Sequence, residues 1–82
     1  MAIEVKSKPD TRDVGIHVGH MKLIREYADR ICDNRKYFGA IAGAIVADNV
    51  RNFAYKAGFY VLEQSGDTMK LDPPEGFTPR EW

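Results

Sequence analysis

The run Tyr37-Phe38-Gly39-Ala40-Ile41-Ala42-Gly43-Ala44-Ile45-Val46 constrains this chain more than any other stretch. It is apolar on both alternating faces, so it reads as a central strand of a sheet, covered on both sides. Gly39 and Gly43 fall on one face, and their missing side chains let a helix or another backbone come close. The run is far too short to cross a bilayer, and no membrane partner is expected. A buried strand needs neighbours, and the flanking residues supply them.

Residues 2–7 alternate, with Ile3 and Val5 pointing one way and Glu4 and Lys6 the other, the pattern of a half-buried strand that Pro9 ends. A helix follows. Asp10 or Thr11 can cap it, and Val14, Val18, Met21, Ile24, Ala28 and Ile31 form one helical face. Gly15 and Gly19 weaken its first half by about 1 kcal/mol each. After the central strand, Asp48 resembles an N-cap. Val50, Phe53, Ala54 and Ala57 form the buried side of a short second helix, and Gly58 suits its C′ position. Phe59–Glu63 reads as a strand, Ser65-Gly66-Asp67 as a turn, and Thr68–Leu71 as the returning hairpin strand. The predicted architecture is α/β in the order β-α-β-α-β-β. Its sheet is small and mostly parallel, flanked by two helices, with an antiparallel edge at the end. The tail, residues 72–82, is irregular, with Phe77 and Trp82 folded back on the body.

The chain has 82 residues, which suits one domain, 1–82. Twelve basic and twelve acidic side chains give no net charge, so nothing global draws it to nucleic acid or an anionic membrane. The single cysteine, Cys32, excludes a disulfide scaffold and reads as a buried or half-buried thiol. Glu4 and two lysines stand where a signal peptide would need an apolar run, so the expected location is cytoplasmic.

Glu4-Val5-Lys6 is the first candidate for chemistry. Residues i and i+2 of a strand share a face, so a carboxylate and an ammonium stand side by side on a rigid element. The carboxylate can take Mg²⁺, and the lysine can stabilise an attacking hydroxide or a phosphate oxygen. On spacing alone the same residues read as a weak exposed ion pair.

The blocks Ile3-Glu4-Val5-Lys6-Ser7-Lys8, Tyr37 to Ala44, Gly58 to Asp67 and Gly76-Phe77-Thr78-Pro79-Arg80-Glu81-Trp82 together resemble a known pattern. They look like the C-terminal half of PD-(D/E)xK nuclease-like proteins, a largely uncharacterised bacterial group that often carries a coiled coil upstream. The resemblance covers nearly the whole chain. It implies a partial restriction-endonuclease-like core, with Glu4 as the metal-binding acid, Lys6 as the catalytic lysine and Gln64 bordering the same cleft. It also implies an aspartate on a strand before Glu4, and no acid occupies residues 1–3. The site is therefore expected to be a half-site. The leading expectation is a non-catalytic remnant that needs no cofactor and acts as an interaction or dimerisation module. The alternative is a Mg²⁺-dependent nuclease, acting on nucleic acid, whose missing aspartate comes from a second chain. A bland stable domain from a split or truncated gene is the third possibility.

Other polar groups read as solvated. His17 and His20, at i and i+3, suit a helix edge, though His17 could face the cleft near Lys6 if the helix packs over that strand. The pairs Arg25–Asp29 and Glu26–Arg30 suit an exposed helix face. The strands that the resemblance places before residues 2–7 are absent, which leaves that strand with an open side. A homodimer that completes the sheet across this edge is expected, since zero net charge does not oppose self-association.

Overall fold

Parallel strands must be joined by a crossover, and this chain makes two of them with helices. The computed structural model describes residues 1–82. Its elements are β1 (Ala2–Lys6), α1 (Thr11–Arg30), β2 (Gly39–Gly43), α2 (Asp48–Lys56), β3 (Tyr60–Ser65) and β4 (Thr68–Leu71). They form one four-stranded sheet in the order β1-β2-β3-β4. The pairs β1–β2 and β2–β3 are parallel, and β3–β4 is antiparallel. The chain is thus α/β with a mostly parallel sheet and two helices. No helix is long and apolar enough to cross a membrane.

Local chemistry sets the boundaries. Asp10 caps α1 by a reciprocal pair of bonds with Asp13, each carboxylate accepting the other's backbone N–H at 2.9 Å. The bond from the Asp13 N–H holds the Asp10 carboxyl below its usual range. Gly58 follows α2 with φ +88°, a left-handed turn that glycine makes without strain. Asp48 is the first residue of α2 rather than its cap. Ala47 holds the cap position without a side-chain bond, and Asp48 pairs with Arg51. The central strand is shorter than the apolar run, because the N–H groups of Ala44 and Ile45 both turn to the carbonyl of Ser7, at 3.1 Å each.

Consecutive strands are sheet neighbours here, so two right-handed crossovers put both helices on one face. The expectation of cover on both faces of β2 is corrected accordingly. Gly39, Ile41 and Gly43 face the helices. A Cβ on Gly39 would lie 2.6 Å from the Phe59 ring and 3.2 Å from Met21 Sδ; one on Gly43 would lie 2.5 Å from Pro9. Around Ile41 the core gathers Val14 and Met21 of α1, Val46, Val50 and Ala54 from the α2 side, Phe59, Val61 and Trp82. On the other face, Val5, Ala42, Leu62 and Leu71 form one register row across all four strands. Ala40 and Ala42 are buried because their single methyl groups lie low between longer neighbours, while Ile3, Val5, Met69 and Leu71 stay exposed.

The tail closes the lower end of the sheet. Tyr37 and Trp82 exchange two backbone hydrogen bonds, and Arg80 N–H donates to the carbonyl of Gly58. Trp82 stacks on Phe59 at 6.0 Å, and Phe77 sits edge-on between Tyr55 and Tyr60. Arg25 ties α1 to this end by donating to Asp29 and to the carbonyls of Asp33, Arg35 and Trp82. Ile31 lies past the end of α1 and is exposed, so it leaves the apolar face assigned to it.

Candidate functional site

Register places Glu4 in a row with Ile41 and Val61, and Lys6 in a row with Gly43 and Glu63. Both side chains therefore leave β1 on the helix-covered face. α1 lies over them and answers with Asp13, His17 and His20. Spacings of four and three put these residues on one helical face. Glu4 and Lys6 each take their partner from the helix, not from each other. Lys6 Nζ is 3.9 Å from Asp13 Oδ1, and Glu4 Oε2 is 3.7 Å from His20 Nδ1.

His17 is the buried member, only 3% exposed, which corrects the reading of a solvated helix edge. The reason is its position between Val14 and Met21 on the face that meets the sheet. Its ring lies 4.8 Å from that of Phe59 and meets His20 edge-on at 5.7 Å. Nε2 stands 3.0 Å from the carbonyl of Ala2. A carbonyl oxygen only accepts, so this contact puts the proton on Nε2. In the neutral ring Nδ1 then carries a lone pair, and that atom is buried with no hydrogen-bond partner. One ligand atom from each of Glu4, His17 and His20 can be chosen so that all three lie within 4.8 Å of one another.

The structure does not bring Gln64 to this group. Gln64 is opposite Met69 on β4 and shares the face of Leu62, the side away from Glu4 and Lys6. Its amide donates to the carbonyl of Gly66 at 3.2 Å. The β3 residue that shares a row with Lys6 is Glu63, and Arg51 holds it from α2 by Nε at 2.9 Å and Nη2 at 2.6 Å. Asp13 reaches the site, but its carboxylate faces Lys6 and the N-terminus of α1.

This donor set does not fit the Mg²⁺ that the nuclease resemblance implies. Mg²⁺ demands oxygen ligands in octahedral array. The groups that crowd Glu4 are two imidazoles, and the nearest aspartate is committed elsewhere. The grouping of Glu4 with both histidines went unread in the sequence. The available signal was the i, i+3 histidine pair on a helix that a right-handed crossover folds back over the sheet beside Glu4. Comparisons with protein-family models, curated proteins and solved structures find no significant match for this chain.

Proposed function

We propose that these residues form a self-pairing interaction module, a non-catalytic form of a nuclease-like α/β core. The observation that carries this reading is the position of β1. It lies at the sheet edge, and on the outer face Ile3 is 46% and Val5 70% exposed. Ala2 N–H donates to the carbonyl of Phe38, the residue just before β2, and alternation turns the N–H and C=O groups of Ile3 and Val5 outward. The edge carries no proline or bulge, and no charged side chain on its outer face, the usual devices against pairing. Antiparallel pairing with a second copy would join two four-stranded sheets and extend the apolar row from Val5 to Leu71.

The nuclease reading has less support. Its lysine faces Asp13, and its glutamate stands against imidazoles instead of a second acid. Light scattering on a sizing column tests the proposal. At tens of micromolar the particle is expected at twice the 9.3 kDa chain mass, and Val5→Lys is expected to return it to one chain without loss of helix signal. A wild-type monomer at that concentration refutes the module. Mg²⁺-dependent plasmid nicking that vanishes in Lys6→Ala refutes its non-catalytic character.

A further inference from the structure

We propose that Glu4, His17 and His20 form a binding site for a borderline divalent transition metal of the zinc class, with His17 ligating through Nδ1. The inference is independent of self-pairing, since all three residues belong to one chain. Two observations converge on it. The first is the cluster itself: one carboxylate oxygen and one ring nitrogen from each of two imidazoles fall within 4.8 Å of one another. The second is the orphaned Nδ1 of His17, on a side chain that is 97% buried by its 3% exposure. A buried polar atom without a partner is unfavourable, and a lone pair held there is what a metal ion would satisfy.

The tautomer is already the ligating one. Metal-bound histidines commonly donate their second ring N–H to a carbonyl or carboxylate, which fixes ring orientation and raises ligand basicity. Here Nε2 does this to the Ala2 carbonyl at 3.0 Å. That bond ties the ring to the same strand that carries Glu4, two residues on. The separation of 3.7 Å between Glu4 Oε2 and His20 Nδ1 is near the spacing of two ligands on one tetrahedral ion, since bonds of about 2.0–2.1 Å set neighbours roughly 3.4 Å apart. His17 must close by a larger step, and His20, half-exposed at the side of α1, is free to swing.

Ligand chemistry selects the metal. Imidazole suits zinc, copper, iron and nickel, while Mg²⁺ and Ca²⁺ prefer all-oxygen shells. Two histidines and a glutamate form a three-ligand set that leaves a fourth position for water. A metal held there would pin the middle of α1 to the β1 edge strand, at the point where the sheet is open.

Calorimetric titration of the full chain with Zn²⁺, and a Co²⁺ titration read by visible absorption, test the site. The expected result is one ion per chain, tetrahedral Co²⁺ bands, and a melting temperature raised by roughly 10–20 °C at a hundredfold excess over the dissociation constant. Mg²⁺ is expected to do neither. Glu4→Gln and His20→Ala, at half-buried and exposed positions, are expected to fold as wild type and to weaken binding by more than about tenfold. His17 is in the core and its removal could unfold the chain, so it is read in the wild type by imidazole ¹⁵N shifts. Nδ1 is expected unprotonated before zinc and moved by it, with Nε2 protonated throughout. Three results overturn the proposal: affinity unchanged in both variants, one ion per two chains, or a His17 Nδ1 that zinc leaves unmoved.

Discussion

Replacing Trp82 separates two opposing properties of one side chain. The indole is 95% buried by its 5% exposure, stacks on Phe59 at 6.0 Å, and lies beneath the Arg80 guanidinium at 3.8 Å. Its backbone bonds to Tyr37 do not involve the side chain, so Trp82→Ala leaves them in place. Truncating a buried aromatic costs about 3–5 kcal/mol, a range that includes the stacking lost with the ring. A domain of 82 residues holds on the order of 4–12 kcal/mol in total. Trp82→Ala is thus expected to lose about a quarter or more of the stability, a fall of at least ~12 °C in Tm. Trp82→Phe behaves differently. The indole Nε1 is buried without a hydrogen-bond partner, and an orphaned donor costs about 1–3 kcal/mol. A phenyl ring loses some volume but removes that donor, so Trp82→Phe is expected within ~1.5 kcal/mol of wild type. Urea denaturation followed by far-ultraviolet circular dichroism is the assay, because Trp82 is the only tryptophan and fluorescence would lose its reporter. A loss below ~1 kcal/mol in Trp82→Ala would refute the placement of the ring in the core. Equal losses in the two variants would refute the account of the orphaned donor.

Two glycines are expected to respond with opposite sign. A Cβ at Gly19 meets nothing within 4 Å, so Gly19→Ala is expected to add about 1 kcal/mol in urea denaturation. A Cβ at Gly39 would lie 2.6 Å from the Phe59 ring, so Gly39→Ala is expected to remove ~1–3 kcal/mol in the same assay. Bonds from Arg35 and Tyr37 hold the Asp33 carboxyl well below its ordinary 3.8. A depressed carboxyl adds stability that is fully present above the unfolded value and is lost as pH falls toward the folded one. The thermal midpoint is therefore expected to drop below pH ~4, and to drop less in Asp33→Asn, which is already less stable at pH 7. Cys32 follows the end of α1 at φ +60° and is exposed, not buried or half-buried as the helical pattern suggested. A thiol reagent is expected to titrate it fully in the native protein without denaturant.

The elements were legible because their signals are local. The α1 cap falls on Asp10, one of the two residues the sequence offered, and the left-handed glycine after α2 appears where the sequence placed it. The hairpin turn is tighter than expected, since Ser65 stays in β3 opposite Thr68 and leaves Gly66-Asp67 to turn. Which faces are covered was not local. An apolar strand such as β2 is compatible with helices on both faces, or with helices on one and small buried side chains on the other. The choice depends on strand order, and the order β1-β2-β3-β4 puts both helices on one side. Cys32 and Ile31 were misplaced for a related reason. Periodicity continues past Arg30, while the backbone leaves the helix there to let Arg25 collect the carbonyls of Asp33 and Arg35.

The site was half legible for the same physical reason. Alternation alone puts Glu4 and Lys6 on one face, and the structure keeps them there. What surrounds them is decided by the phase of α1 over β1, which is set by the Asp10 cap and by Val14 and Met21 entering the core. That phase carries Asp13 to Lys6, and His17 and His20 to Glu4. The carboxylate that a nuclease would use for an oxygen-seeking ion thus meets nitrogen donors. The lysine that would face a phosphate meets an aspartate. One residue of phase along α1 turns it by about 100° and would break both pairings at once. The ligand chemistry available to Glu4 is therefore a property of the β1–α1 crossover, and the three residues Glu4, His17 and His20 stand or fall as one site.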